Sequence, residues 1–262
     1  MRKIWDKNKT LKLLFLGNSF ADDSGLLLHE VLKNVGVKFK LGILYIGGCS
    51  LATHLDNLEN DSPLYEYRTN TGEEWETAYN HTAKDAILSE DWDIITFQQA
   101  SYDSGVADTY DGLAKILPIV RSYNQTAKFL WLMTWAYPNG SPHGGFVKYD
   151  NNQATMYESI VSAVQKKIVQ RPEIDYVIPV GTAIQNARTS CFGDTLNRDD
   201  CHLSLDVGRY IAATCVAYSL GVEIDECKFV PNDTPQNTKE IAIESVKNAW
   251  DKPFDITPSK YV

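Results

Sequence analysis

Leu11-Lys-Leu-Leu-Phe-Leu16 runs straight into Gly17-Asn-Ser-Phe20. Six almost unbroken apolar residues halted by a glycine read as a short strand buried on both faces, the kind found inside parallel sheets. Helical spacing follows: Leu27, Leu28, Val31 and Leu32 fall on one face of a helix expected over residues 23–35, with Gly36 as its stop. A buried strand turning through glycine into a helix is the first half of a βαβ unit.

The same rhythm recurs outward along the chain. Strands are expected at 37–46, halted by Gly47-Gly48, and then at 94–97, 128–135 and 175–179. Helices are expected at 110–123 and 151–169, with a last one at 205–220. Strands spaced by helices of this size predict an α/β fold: a parallel five-stranded sheet covered on both faces. Two stretches break the rhythm. Residues 64–80 read as an antiparallel hairpin inserted ahead of the third strand, since Leu64-Tyr-Glu-Tyr-Arg68 and Glu73-Glu-Trp-Glu-Thr77 flank Thr-Asn-Thr-Gly. Residues 135–150, rich in Pro and Gly, read as a surface loop at the carboxyl end of a strand, where open α/β sheets bind ligands. Residues 227–262 show little periodicity and are expected to pack as a tail on a single domain spanning 1–262.

Composition narrows the partners. With 34 acidic against 25 basic residues, the net charge of −9 offers no basic stripe, so neither nucleic acid nor an anionic membrane is an expected partner. The first apolar run is too short for a signal-peptide core and no later run could span a bilayer. A cytoplasmic protein is expected if the sequence is complete, a periplasmic or secreted one if a leader was removed. The five cysteines form no CxxC pair and no cluster of zinc-ligand spacing, so no metal is expected; Cys191 and Cys201 share one irregular stretch and are read as free thiols rather than a disulfide.

Four features carry chemistry. Ser19 stands where the first strand gives way to a helix, at the sheet's carboxyl edge, with backbone N–H groups of the turn aimed at the same point. Such a serine either caps the helix or serves as a nucleophile beside ready oxyanion donors. A nucleophilic serine needs a base held in one tautomer by a third group. His202 and Asp199, three apart on what is read as one helical turn, supply that pair, whereas Asp200 points elsewhere. Gly48, after the second strand, lets a substrate oxygen approach its N–H. Gln98 and Gln99 end an otherwise apolar third strand, where buried amides need polar company. All four features converge on one edge of the predicted sheet.

In that order, Gly17-Asn-Ser-Phe20, Gly48, Gln98-Gln99 and Asp199-x-x-His202 resemble the motifs of the SGNH (GDSL-like) hydrolase superfamily. Asp93-Ile-Ile-Thr-Phe-Gln-Gln-Ala-Ser101, Ile178-Pro-Val-Gly-Thr-Ala183 and His202-Leu-Ser-x-x-x-Gly208 look like a bacterial branch of it with a GNSF nucleophile motif. The resemblance implies a flavodoxin-like three-layer α/β/α sandwich, a Ser19–His202–Asp199 triad, no cofactor, and hydrolysis of esters, often acetyl groups on sugars. It also implies an oxyanion hole of Ser19, Gly48 and Gln99, with Gln98 in reserve. Two departures stand out: the usual Gly-Asp-Ser is Gly-Asn-Ser, and the usual Gly-x-Asn-Asp is Gln98-Gln99-Ala100-Ser101. Tyr102, Trp135 and Tyr137 are expected to rim the site, where aromatic faces would suit a sugar ring. The expected partner is thus a small or oligosaccharide ester. The rival readings are a carbohydrate-binding protein without turnover and an acyltransferase.

Overall fold

The computed structural model describes Trp5, Asp6 and residues 8–262. Strand β1 (Leu11–Gly17) is buried at six of seven positions. It passes through Asn18, whose side chain accepts from the Phe20 N–H, into helix α1 (Ser19–Gly25). The single helix expected over 23–35 is therefore two: α1 starts at the serine itself, and α2 (Leu28–Asn34) follows a break. The break has a local cause. The Leu26 carbonyl is tied up by side chains, Nδ1 of His29 at 2.8 Å and the indole N–H of Trp75 at 3.2 Å.

Next come β2 (Phe39–Tyr45), α3 (Leu51–Asn60), the hairpin strands β3 (Tyr65–Asn70) and β4 (Glu76–His81), and α4 (Ala83–Leu88). Strand β5 (Ile94–Phe97) is where the sequence places it; α5 (Leu113–Tyr123), β6 (Lys128–Leu132), α6 (Gln153–Lys167) and β7 (Tyr176–Ile178) complete the expected alternation. Helices α7 (Val180–Arg188), α8 (Val207–Ser219) and α9 (Thr238–Asp251) close the chain.

The strands form one sheet in the order β4-β3-β2-β1-β5-β6-β7. Strands β2, β1, β5, β6 and β7 pair in parallel, so the five parallel strands run second-first-third-fourth-fifth, the flavodoxin-like order. The hairpin is not a separate appendage. Its strand β3 pairs antiparallel with β2, and β4 with β3, so it widens the sheet to seven strands. Helices flank the sheet: α3, α4 and α5 pack on one another, as do α1, α2, α7, α8 and α9. Among the described residues no helix is long and apolar enough to cross a membrane.

Two helices on the C-terminal side, α7 and α9, lie outside the expected set. The helix at α8 is not the last, because α9 packs on α7 and α8. The buried face of α9 is Thr238, Ile241, Ala242, Ser245, Val246 and Ala249, at helical spacing. Helix α7 follows β7 almost at once, with all nine of its residues buried, polar ones included.

The topology fixes where chemistry can occur. β1 is the switch point, with β2 on one side and β5 on the other. Loops leaving those three strands face one another at the carboxyl edge. Gly17 must be glycine there: a Cβ would lie 2.7 Å from that of Ala21 and 3.1 Å from the Gln98 side chain.

Candidate functional site

Asn18 ties the three strand ends together. Its Oδ1 accepts from the Phe20 N–H (3.0 Å) and from Nε2 of Gln98 (2.6 Å), while its Nδ2 donates to the Cys49 carbonyl (3.0 Å). An aspartate could not make the last bond, since a carboxylate has no donor. The amide in place of the usual acid thus has a physical reason: it joins the turns after β1 and β2 to the end of β5.

On this platform Ser19 is the first residue of α1 and remains partly accessible to solvent. Its Oγ lies 2.7 Å from Nε2 of His202, across 183 residues of sequence. Nδ1 of His202 lies 2.9 Å from Oδ2 and 3.1 Å from Oδ1 of Asp199. A carboxylate cannot donate, so the imidazole proton sits on Nδ1 and Nε2 is left to accept from the serine hydroxyl. Burial acts to raise the Asp199 carboxyl, but the backbone N–H groups of Cys201 (3.0 Å) and His202 (2.7 Å) and the imidazole outweigh it and hold it at about 2.

The spacing of three works by a different route from the one expected. Residues 199–202 form a bend, not a helical turn, in which the Asp199 carboxylate folds back onto the two N–H groups that follow it. The segment is closed by a short bridge between Asn197 and Leu203, with Arg198 N donating to the His202 carbonyl at 3.0 Å.

Gly48 sits in the left-handed region (φ +63°), with nothing near enough to crowd its open side. Neither its N–H nor that of Ser19 donates to another group among the described residues. Gln99 is elsewhere engaged, which corrects its expected place in an oxyanion hole. Its Oε1 accepts from the N–H groups of Leu51 (2.9 Å) and Ala100 (2.8 Å), and its Nε2 donates to the carbonyl and hydroxyl of Thr109 (both 2.9 Å). Gln98, the reserve, is the amide that faces the Ser19 turn, through Asn18.

Of the aromatic rim, only Tyr102 is partly exposed, its hydroxyl donating to the Gly48 carbonyl at 3.3 Å. Trp135 and Tyr137 are fully buried, so they cannot offer a face to a sugar. Trp135 works from beneath: its ring stacks flat on Phe20 (4.0 Å between centroids) and its indole N–H donates to the Cys201 carbonyl at 2.9 Å. Phe20 in turn sets its edge against the His202 ring. Tyr137 bonds Ser101 Oγ through its hydroxyl at 2.7 Å. The proline- and glycine-rich loop after β6 is therefore interior at its start and reaches the surface only from about Pro138 onward.

The ligand atoms of Asp199, Asp200, Cys201 and His202 lie within 4.8 Å of one another. As a metal donor set they fit poorly: His202 Nδ1 is turned onto Asp199, and burial pushes the Cys201 thiol up, away from the thiolate that metals bind. The five cysteines are unpaired, with Cys191 exposed and the others buried.

No curated protein matches the sequence. Among solved structures, Axe2, an acetylxylan esterase from Geobacillus stearothermophilus, superposes with a TM-score of 0.54 at 11% identity, over 87% of this chain and 100% of its own. A protein from Slackia heliotrinireducens, proposed to be an SGNH hydrolase, gives 0.52 at 18% identity, over 81% and 100%. At such identities the likeness establishes the shared α/β fold. A DUF4886 family protein from Bacteroides uniformis is far nearer: 38% identical, with a TM-score of 0.91 over 95% of this chain and 98% of its own. The model of that family, described as a domain of unknown function, matches residues 12–249, and the chain accordingly belongs to the DUF4886 family.

Proposed function

We propose that this protein is a serine ester hydrolase acting on short acyl esters, with acetylated carbohydrate as its substrate class. One observation carries the reading: an unbroken chain of hydrogen bonds runs from a solvent-accessible Ser19 through His202 to an ionised Asp199. A serine that merely capped its helix would not need an imidazole on its hydroxyl, and Asn18 already does the capping.

Ser19 Oγ attacks the ester carbonyl carbon as Nε2 of His202 takes the hydroxyl proton. Asp199 steadies the imidazolium through Nδ1. The carbonyl oxygen becomes an oxyanion between the backbone N–H groups of Ser19 and Gly48, neither of which has an acceptor among the described residues. The tetrahedral intermediate collapses, the leaving alkoxide takes the proton from His202, and the acyl group stays on Ser19. Water then attacks the acyl-enzyme with His202 again as base, releasing the acid. The carbohydrate preference is supported by the shared fold with an acetylxylan esterase and by the partly exposed Tyr102 beside Gly48.

The test is hydrolysis of p-nitrophenyl acetate and release of acetate from acetylated xylo-oligosaccharides. Ser19→Ala removes the nucleophile, and its rate is expected to fall by about three orders of magnitude or more. A fluorophosphonate probe should label Ser19 alone. Full activity in Ser19→Ala, or labelling at another serine, overturns the proposal.

A further inference from the structure

Asp23 is completely buried, yet it is an acid surrounded by cations. Its Oδ1 accepts from Nη1 of Arg198 (3.0 Å) and Nε of Arg209 (2.8 Å); its Oδ2 accepts from Nη1 of Arg198 (3.1 Å) and from the Leu203 N–H (2.8 Å). Arg198 also donates to the Leu203 carbonyl, and its Nε lies 3.8 Å from Oδ2 of Asp199. Two guanidinium groups are thus set against two carboxylates, Asp23 inside and Asp199 at the surface.

The register of this cluster is what gives it meaning. Ser19 and Asp23 are four apart in α1, so they lie one turn apart on the same face of the helix. Their partners are consecutive residues: the His202 side chain on Ser19, the Leu203 backbone on Asp23. One helix face therefore grips the 198–203 segment at two adjacent points. Arg198 spans from the inner point to Asp199, so each member of the Ser19–His202–Asp199 chain is referred to the same buried carboxylate.

We infer that Asp23, acting through Arg198 and the Leu203 N–H, is the positioning residue that sets His202 Nε2 within reach of Ser19 Oγ. The inference rests on the esterase reading for its kinetic consequence, not for its structural one. Buried ion clusters add little net stability over an apolar filling of the same shape, so a purely structural role and a positioning role differ in what they do to turnover. A displacement of the base by about 1 Å costs roughly a hundredfold in rate, because the proton must move within a hydrogen bond.

The decisive variant is Asp23→Asn, which keeps the shape but removes the charge and half the acceptor capacity. Turnover of p-nitrophenyl acetate is expected to fall about 10- to 100-fold with KM within about twofold, since the acyl pocket is untouched. Amide hydrogen exchange in residues 198–203 should quicken about tenfold while β1 and β5 stay protected. Arg198→Ala should behave likewise and recover part of its turnover when millimolar guanidinium, but not ammonium, is added. A folded Asp23→Asn with kcat within about threefold of the parent, or with exchange unchanged in 198–203, overturns the inference. Should Asp23→Asn fail to fold, Arg198→Lys at its partly exposed position decides by the same two readouts. A parent protein without esterase activity would sink the proposed function, and exchange in 198–203 would still decide this one.

Discussion

Gln99→Met separates the two roles an amide at the end of β5 can have. The structure gives Gln99 four hydrogen bonds, two of them from the buried N–H groups of Leu51 and Ala100 to its Oε1. Methionine matches its length and volume but offers only a weak sulfur acceptor. Each buried N–H left without a partner costs about 1–3 kcal/mol, so the pair costs about 2–6 kcal/mol. The two groups lost on Thr109 matter less, because its hydroxyl keeps a bond to the Val106 carbonyl at 2.7 Å. For a chain of this size about 2–4 °C of Tm follows each kcal/mol, so Tm should drop by about 4–24 °C. Turnover measured well below that transition should stay within a few-fold, since no Gln99 atom faces Ser19. An oxyanion donor would behave in the opposite way, with kcat down by about two to three orders of magnitude and Tm unmoved. Circular dichroism melts alongside p-nitrophenyl acetate kinetics read both quantities. A wild-type melt with a hundredfold slower variant would refute the reasoning and return Gln99 to the oxyanion hole.

The remaining expectations concern other parts of the molecule. Trp135→Phe keeps the stack on Phe20 but loses the bond to the Cys201 carbonyl, which Asn197 Nδ2 still satisfies at 3.1 Å; the cost should be about 0.5–1.5 kcal/mol with KM unchanged. A raised KM at unaltered Tm would instead make the ring a substrate contact. Asp199 sits below its ordinary 3.8, at about 2, so its ionised form favours the folded state: that contribution is fully present above about pH 4 and is lost as pH falls through 2. Melts of the parent and Asp199→Asn should therefore differ by a constant amount at neutral pH and converge between pH 4 and 2, by a small amount because the group is well exposed; divergence on acidification would contradict the geometry. Burial pushes the Cys49 thiol up to about 12. Iodoacetamide at pH 8 should modify the exposed Cys191 in the native protein and spare Cys49, and peptide mapping that finds Cys49 alkylated without unfolding would exclude the packing described here.

Much of this molecule was legible along the chain because the relevant signals are local. The run from Leu11 to Gly17, broken only by Lys12, and the strand at Ile94–Phe97, broken only by Thr96, are the nearly continuous apolar stretches that a sheet buried on both faces accommodates, and their alternation with helices points to parallel pairing. Ser19, Gly48 and His202 were readable because each sits beside a strand end or a helix start, places that composition and spacing mark. Helix α7 was not readable: a single residue separates it from β7, and its buried Thr182, Asn186 and Arg188 bond the carbonyls of Pro253, Ser245 and Ala136, partners that no local signal announces. Trp135 and Tyr137 carry the same residue types whether they face a sugar or a core, and only packing turned them inward. Gln98 and Gln99 are identical neighbours; tertiary contacts alone sent one to Asn18 and the other to Leu51 and Thr109. The strands and helices follow from backbone preferences and apolar spacing acting over a few residues. What each polar group does depends on which partner arrives from tens of positions away or more, and a buried donor or acceptor takes whatever partner the completed fold supplies.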